Sequence, residues 1–138
     1  MAGIRCQEGI RVLADSAFKL VAEPEDLEIF LFSDNETIDK DTVDADLDEI
    51  TTNGGEKVTL VKATFAAATD ADPSVSRYNG ATGVVWNITG ALTIYGWAVR
   101  WVTSQKILCA ENWGVNTVAN GNTVTVQPLD LKLPVVMA

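Results

Sequence analysis

The sequence predicts an all-β domain: an antiparallel β-sandwich, jelly-roll-like in arrangement, with one N-terminal α-helix. Three observations carry this. Apolar residues recur at helical spacing only near the start of the chain. Beyond residue 26 the apolar pattern shifts to short runs of period two, with turn chemistry roughly every 8–20 residues. Strands and helices do not alternate, so a parallel sheet would lack its crossover helices. The 138 residues suit a single core, and 47% hydrophobic with 21% charged residues is the composition of a folding chain. The expected division is an N-terminal arm and helix over 1–24 and a β-sandwich domain over 25–138.

The helix comes first. Ile10, Leu13, Ala14, Ala17, Phe18 and Val21 fall at i, i+3, i+4, i+7, i+8 and i+11, which is one helical face. Arg11, Asp15 and Lys19 occupy the opposite side. Glu23-Pro24 ends the helix, because the residue before proline is pushed out of the helical region. So short a helix needs a partner surface, either its own domain or a neighbouring subunit.

Strands are predicted over 27–34, 57–65, 84–89, 92–102, 106–112 and 122–133. The segment 35–55 is a long acidic connection, and 66–83, with its Asp-Pro and Asn-Gly pairs, is loop-like. In the last strand Val124 and Val126 hold even positions while Leu129, Leu131 and Leu133 hold odd ones. A period-two strand changes phase only at an irregularity, so a bulge or bend is expected at Gln127-Pro128. One stretch could then serve two sheets, or leave the core to pair with a neighbour. In 92–102, Tyr95, Trp97, Val99 and Trp101 alternate with Ile94, Gly96, Ala98, Arg100 and Val102. The aromatic row carries the heavier apolar load and is expected to face the core. The lighter face, Gly96 and Ala98 with Arg100, is left for a neighbouring chain.

Composition excludes much chemistry. The chain has no histidine, which removes the commonest general base and metal ligand. Cys6 and Cys109 are far apart and form no CxxC pair; Cys109, in an apolar run, is expected to be a buried free thiol. A Cys6–Cys109 disulfide would require an oxidising compartment. Eight of the nineteen acids lie between Asp34 and Glu49. Asp44, Asp46 and Asp48 match the opening of an EF-hand loop, but Glu49 stands where glycine is needed and Gly55 where the bidentate glutamate belongs. A solvated acidic loop is expected instead, with no metal and no cofactor. Glu111 alone among the acids lies in an apolar stretch, and it reads as a strand-end residue as easily as a catalytic acid. No catalytic group is assigned and no enzyme is expected. The net charge of −9 disfavours nucleic acid and anionic membrane surfaces as partners. Glu8 and Asp15 interrupt any signal-peptide pattern, so the sequons at Asn35 and Asn87 are read as coincidences and the cytosol as the place of assembly.

Four motifs occur in a telling order: Leu31-Phe32-Ser33-Asp34-Asn35, Thr93-Ile94-Tyr95-Gly96-Trp97, Ile107-Leu108-Cys109-Ala110-Glu111, and the run from Gly121 to Leu129. Together they resemble the head decoration, or cement, proteins of tailed phages. Cys109 departs from that pattern, which often has a larger residue there. The resemblance implies a virion structural protein on the capsid exterior, assembled in the bacterial host cytoplasm. It would bridge neighbouring capsomers as a homotrimer, with the major capsid protein as partner. Some similar sequences are labelled tail or fibre components, so the alternative is a fibre or receptor-binding module with carbohydrate-binding aromatics. The expected interface residues are Ile10, Leu13 and Phe18 on the helix, Gly96, Ala98 and Arg100 on the lighter strand face, and Val135 and Val136 in the apolar tail.

Overall fold

The computed structural model describes residues 4–18, 26–67, 74–80 and 82–133. The protein is mostly β, with antiparallel sheets and one short N-terminal helix, in a sandwich-like arrangement. The described strands are β1 (Ile4–Arg5), β2 (Leu27–Phe32), β3 (Val58–Leu60), β4 (Ser74–Tyr78), β5 (Val84–Asn87), β6 (Leu92–Trp101), β7 (Ile107–Val118), β8 (Thr123–Val126) and β9 (Leu129–Leu133); the helix α1 spans Gln7–Phe18.

A five-stranded sheet, ordered β1-β7-β6-β2-β3, forms the central layer. One face packs against two ribbons, β4–β9 and β5–β8. Ile29, Leu31, Trp97, Val99 and Trp101 from the sheet meet Trp86, Val124, Val126 and Leu129 from the ribbons in the main core. Period-two alternation explains the ribbon contribution: in β5 and β8 every second residue is buried and its neighbours are exposed. The opposite face of the sheet is also covered. Phe30, Phe32, Ala98, Ile107 and Ala110 form a second cluster with Cys6 and with Ile38 and Leu47 of the acidic connection. Strand β2 is therefore apolar on both faces, as its sequence Leu-Glu-Ile-Phe-Leu-Phe requires of a middle layer.

The expected break in the last strand is present. The Gln127–Pro128 peptide is cis, and β8 and β9 on either side of it belong to different ribbons. Two expectations need correction. Part of the loop-like segment forms β4, which pairs antiparallel with β9 from Ser74↔Leu133 to Tyr78↔Leu129. The alternating Ser-Val-Ser-Arg-Tyr run was overshadowed by its turn-rich flanks. Strand β7 also runs well past residue 112, to Val118, pairing with β6 as a long hairpin.

The N-terminal segment joins the sheet. Strand β1 pairs with Cys109 and Ala110 of β7. Helix α1 then packs over β7, with Ile10 and Val12 against the main core. Gly9 makes this approach possible, since a Cβ there would overlap the backbone of Ile107 and Leu108. The Trp101 indole N–H donates to the Gly9 carbonyl at 2.8 Å, tying helix to sheet. The partner surface the helix needs is thus supplied by its own chain.

Candidate functional site

Strand β6 was expected to show one face to the core and the other to a neighbour. The structure revises this. Trp97, Val99 and Trp101 do enter the main core, but Tyr95 packs with the second cluster on the opposite face. The cause is an irregularity in the hairpin. Ile94 pairs with Asn116 and Gly96 with Asn112, so Tyr95 alone opposes Trp113, Gly114 and Val115. At this irregularity the alternation of β6 changes phase, since Ile94 and Trp97 both lie in the main core, and the aromatic row is divided between two layers. With Trp97 fully buried and Trp86 and Trp101 nearly so, these indoles offer no flat exposed platform.

The lighter face is not open to a neighbour either. Gly96, Ala98 and Arg100, expected at an interface, are buried under the chain's own acidic connection. A Cβ on Gly96 would overlap the Glu111 carbonyl oxygen and meet the Phe32 ring, so the close approach glycine permits is made within the chain. Of the other expected interface residues, Ile10 packs partly buried against the main core. The side chains of Leu13 and Phe18, and all of Val135 and Val136, lie outside the described residues.

The acidic connection is a strap, not a solvated loop. Its centre is Arg100, whose side chain is only 4% exposed. Nε donates to Glu28 at 2.7 Å, Nη1 to Asp44 at 2.8 Å, and Nη2 reaches Glu49 at 2.5 Å. The guanidinium also lies 4.4 Å from the Phe30 ring centroid. Burial by itself would lower the Arg100 pKa; hydrogen bonds to Asp44, Glu28 and Glu49 outweigh it and raise the value. Lys57 approaches Glu28 at 3.6 Å, so this buried carboxylate faces two cations.

The remaining strap acids mostly serve its own backbone. Asp39 accepts from the Asp41 N–H at 2.8 Å, Asp46 from Val43 at 3.0 Å and Asp34 from Asp48 at 2.8 Å. Turns built this way need short acceptor side chains, which is why aspartate dominates the segment. Ile38, Leu47 and Ile50 are buried beneath. Those apolar residues spaced among the acids were the available signal that the loop packs; charge density concealed it. Among the described residues no group of three or more Cys, Asp or Glu is disposed to hold a metal ion.

Both thiols are buried and free. Cys6 belongs to the second cluster and Cys109 to the main core, so they face opposite sides of the sheet and cannot form the disulfide considered from the sequence. Burial raises each to about 12, which keeps them as inert thiols. Glu111 lies within β7, in register with Trp97, and one of its carboxylate oxygens is buried with no hydrogen-bond partner among the described residues. Burial raises its pKa. Beside it, an open groove of about 340 Å³ runs between Ile4, Ile38 and Asn112. The Asn112 amide bridges its walls, donating to the Glu36 carbonyl at 2.7 Å.

No family model, curated protein or solved structure matches this chain. What can be said of its role therefore rests on its own residues and on the motif order described above.

Proposed function

We propose that this chain is a structural protein of a tailed-phage particle, binding the capsid exterior as a homotrimer and bridging neighbouring capsomers. The observation that carries the proposal is the order of four sequence motifs, spread from Leu31 to Leu129, which resembles that of head decoration proteins. In this fold they correspond to the end of β2, the bulged centre of β6, the start of β7 and the run through β8 into β9. The resemblance thus lies in the residues that build the layers, as it would for proteins sharing a scaffold. A strap fastened by a buried arginine and a helix clamped by Gly9 suit a protein whose task is mechanical. Many copies on one shell would multiply modest contacts through avidity.

The test is assembly. The purified chain is expected to sediment as a trimer and to co-sediment with capsid shells that lack it, raising their resistance to heat. A monomer that leaves shells unbound and unstabilised would refute the proposal.

A further inference from the structure

Charge is distributed unevenly along the chain, and the fold gathers the uncharged stretches together. Residues 50–55, 78–99 and 112–129 contain no Asp, Glu, Lys or Arg, although the chain carries nineteen acids and ten bases elsewhere, for a net charge of −9. Backbone hydrogen bonds lock three of their turns to one another. Ile88 N–H donates to Asn122 O at 2.9 Å, Gly121 N–H to Ile88 O at 2.8 Å and Thr89 N–H to Asn53 O at 2.9 Å. The outer half of the β6–β7 hairpin, pairing Leu92–Ile94 with Asn116–Val118, continues this end. It presents Val115, 62% exposed and the most exposed large apolar side chain among the described residues, beside exposed Thr93 and Thr117.

We infer that this charge-free end is the surface through which copies of this chain contact one another. The inference rests on the homo-oligomer proposed above and assigns its contact. The occupant follows from charge. Two copies bearing −9 each repel, and the strap face would set carboxylates against carboxylates. At the hairpin end two copies meet with no ionised side chain to desolvate and a valine to bury. A strongly basic partner would be drawn to the strap instead. At the bulge the backbone of β7 is already engaged. Asn112 Oδ1 accepts from the Gly114 N–H at 2.7 Å, and Asn116 Nδ2 donates to the Gly114 carbonyl at 3.3 Å. With both polar groups of Gly114 engaged, contact through side chains can close into a small oligomer.

The test places charge on that surface. In Val115→Glu/Thr117→Glu both positions are exposed, so the fold has no reason to change; Ala45→Glu adds a charge at an exposed strap position as control. Sedimentation velocity is run over a concentration series at low and moderate salt. The wild type is expected to self-associate more strongly as salt screens the net repulsion, the reverse of an ion-paired interface. The double variant is expected to associate about a hundredfold more weakly. Ala45→Glu should match the wild type. The inference is overturned if the double variant assembles like the wild type, if Ala45→Glu dissociates it as much, or if the wild type stays monomeric. Shell co-sedimentation separates the two proposals. A charge-sensitive oligomer that ignores shells sinks the capsid role and keeps the interface. Shell binding with unchanged assembly of the double variant does the opposite.

Discussion

The strap and the charge-free end solve the same problem, holding irregular backbone against a sheet, by opposite means. Over the second cluster, carboxylates do it: three converge on Arg100, and others accept backbone N–H groups within the strap. At the far end the turns hold one another directly, N–H to carbonyl, with glycine and asparagine in the left-handed region at Gly54 (φ 81°), Asn53 (φ 57°) and Gly121 (φ 88°). The first arrangement concentrates its stability in one buried cation. The second spreads it over several neutral hydrogen bonds of about 1 kcal/mol each. A protein built so has one face whose integrity depends on a single side chain, and another that is uncharged and available for contact.

The largest effect should come from breaking the latch. Arg100→Ala leaves the buried Glu28 with the more distant Lys57 as its cation and a long hydrogen bond from Gln105, and is expected to cost roughly 3–5 kcal/mol in urea unfolding. The two cysteines make the loss local. Cys6 lies under the strap, with its thiol 3.7 Å from the Asp39 carbonyl oxygen, whereas Cys109 lies in the main core. Alkylation of Arg100→Ala under native conditions should therefore reach Cys6 before Cys109. Equal rates would mean that the strap is no separate unit.

The matching lesion at the other end is smaller. Gly54→Ala forces a left-handed residue and drives its Cβ into the Asn87 carbonyl oxygen. A cost of roughly 1–3 kcal/mol is expected, with Cys6 no more reactive than in the wild type. A loss as large as that of Arg100→Ala would contradict the distributed scheme.

Glu111 gives a pH signature between the two regions. Its folded pKa is raised by burial, so its contribution to stability is complete below the ordinary glutamate value and is lost as pH rises through the folded value. Glu111→Gln stays neutral and removes that loss. Urea midpoints of wild type and variant should diverge between acid and neutral pH, with the variant the more stable at neutrality. Parallel profiles would show that the carboxylate is stabilised by other means. Least of all should Thr117→Glu alone alter unfolding, by no more than about 0.5 kcal/mol, since Thr117 is exposed on the hairpin. A larger change would mean that this side chain supports the fold, and assembly would be the wrong measure of its role.

Much of this was legible in the residues. The N-terminal helix, the doubly apolar β2 and the parity change at Pro128 each follow from local spacing. The site was less legible, because interface residues were sought on the lighter face of β6. That face is small for a different reason: Phe32 and the strap lie on it. Tyr95 falls on the other side from its alternation because the pairing with β7 is irregular there, and the pattern within β6 alone does not record that. β1 was missed because two residues carry no periodicity.

The sequence by itself determined the class of fold, the order of its main elements, the acidic balance and the uncharged stretches, since each is a property of neighbouring residues. Only the tertiary structure decided that Arg100 turns inward to hold the acids, that the uncharged turns meet at one end, and that the two cysteines face apart. These depend on which distant segments share a face, and pairing register, which local pattern does not encode, sets that.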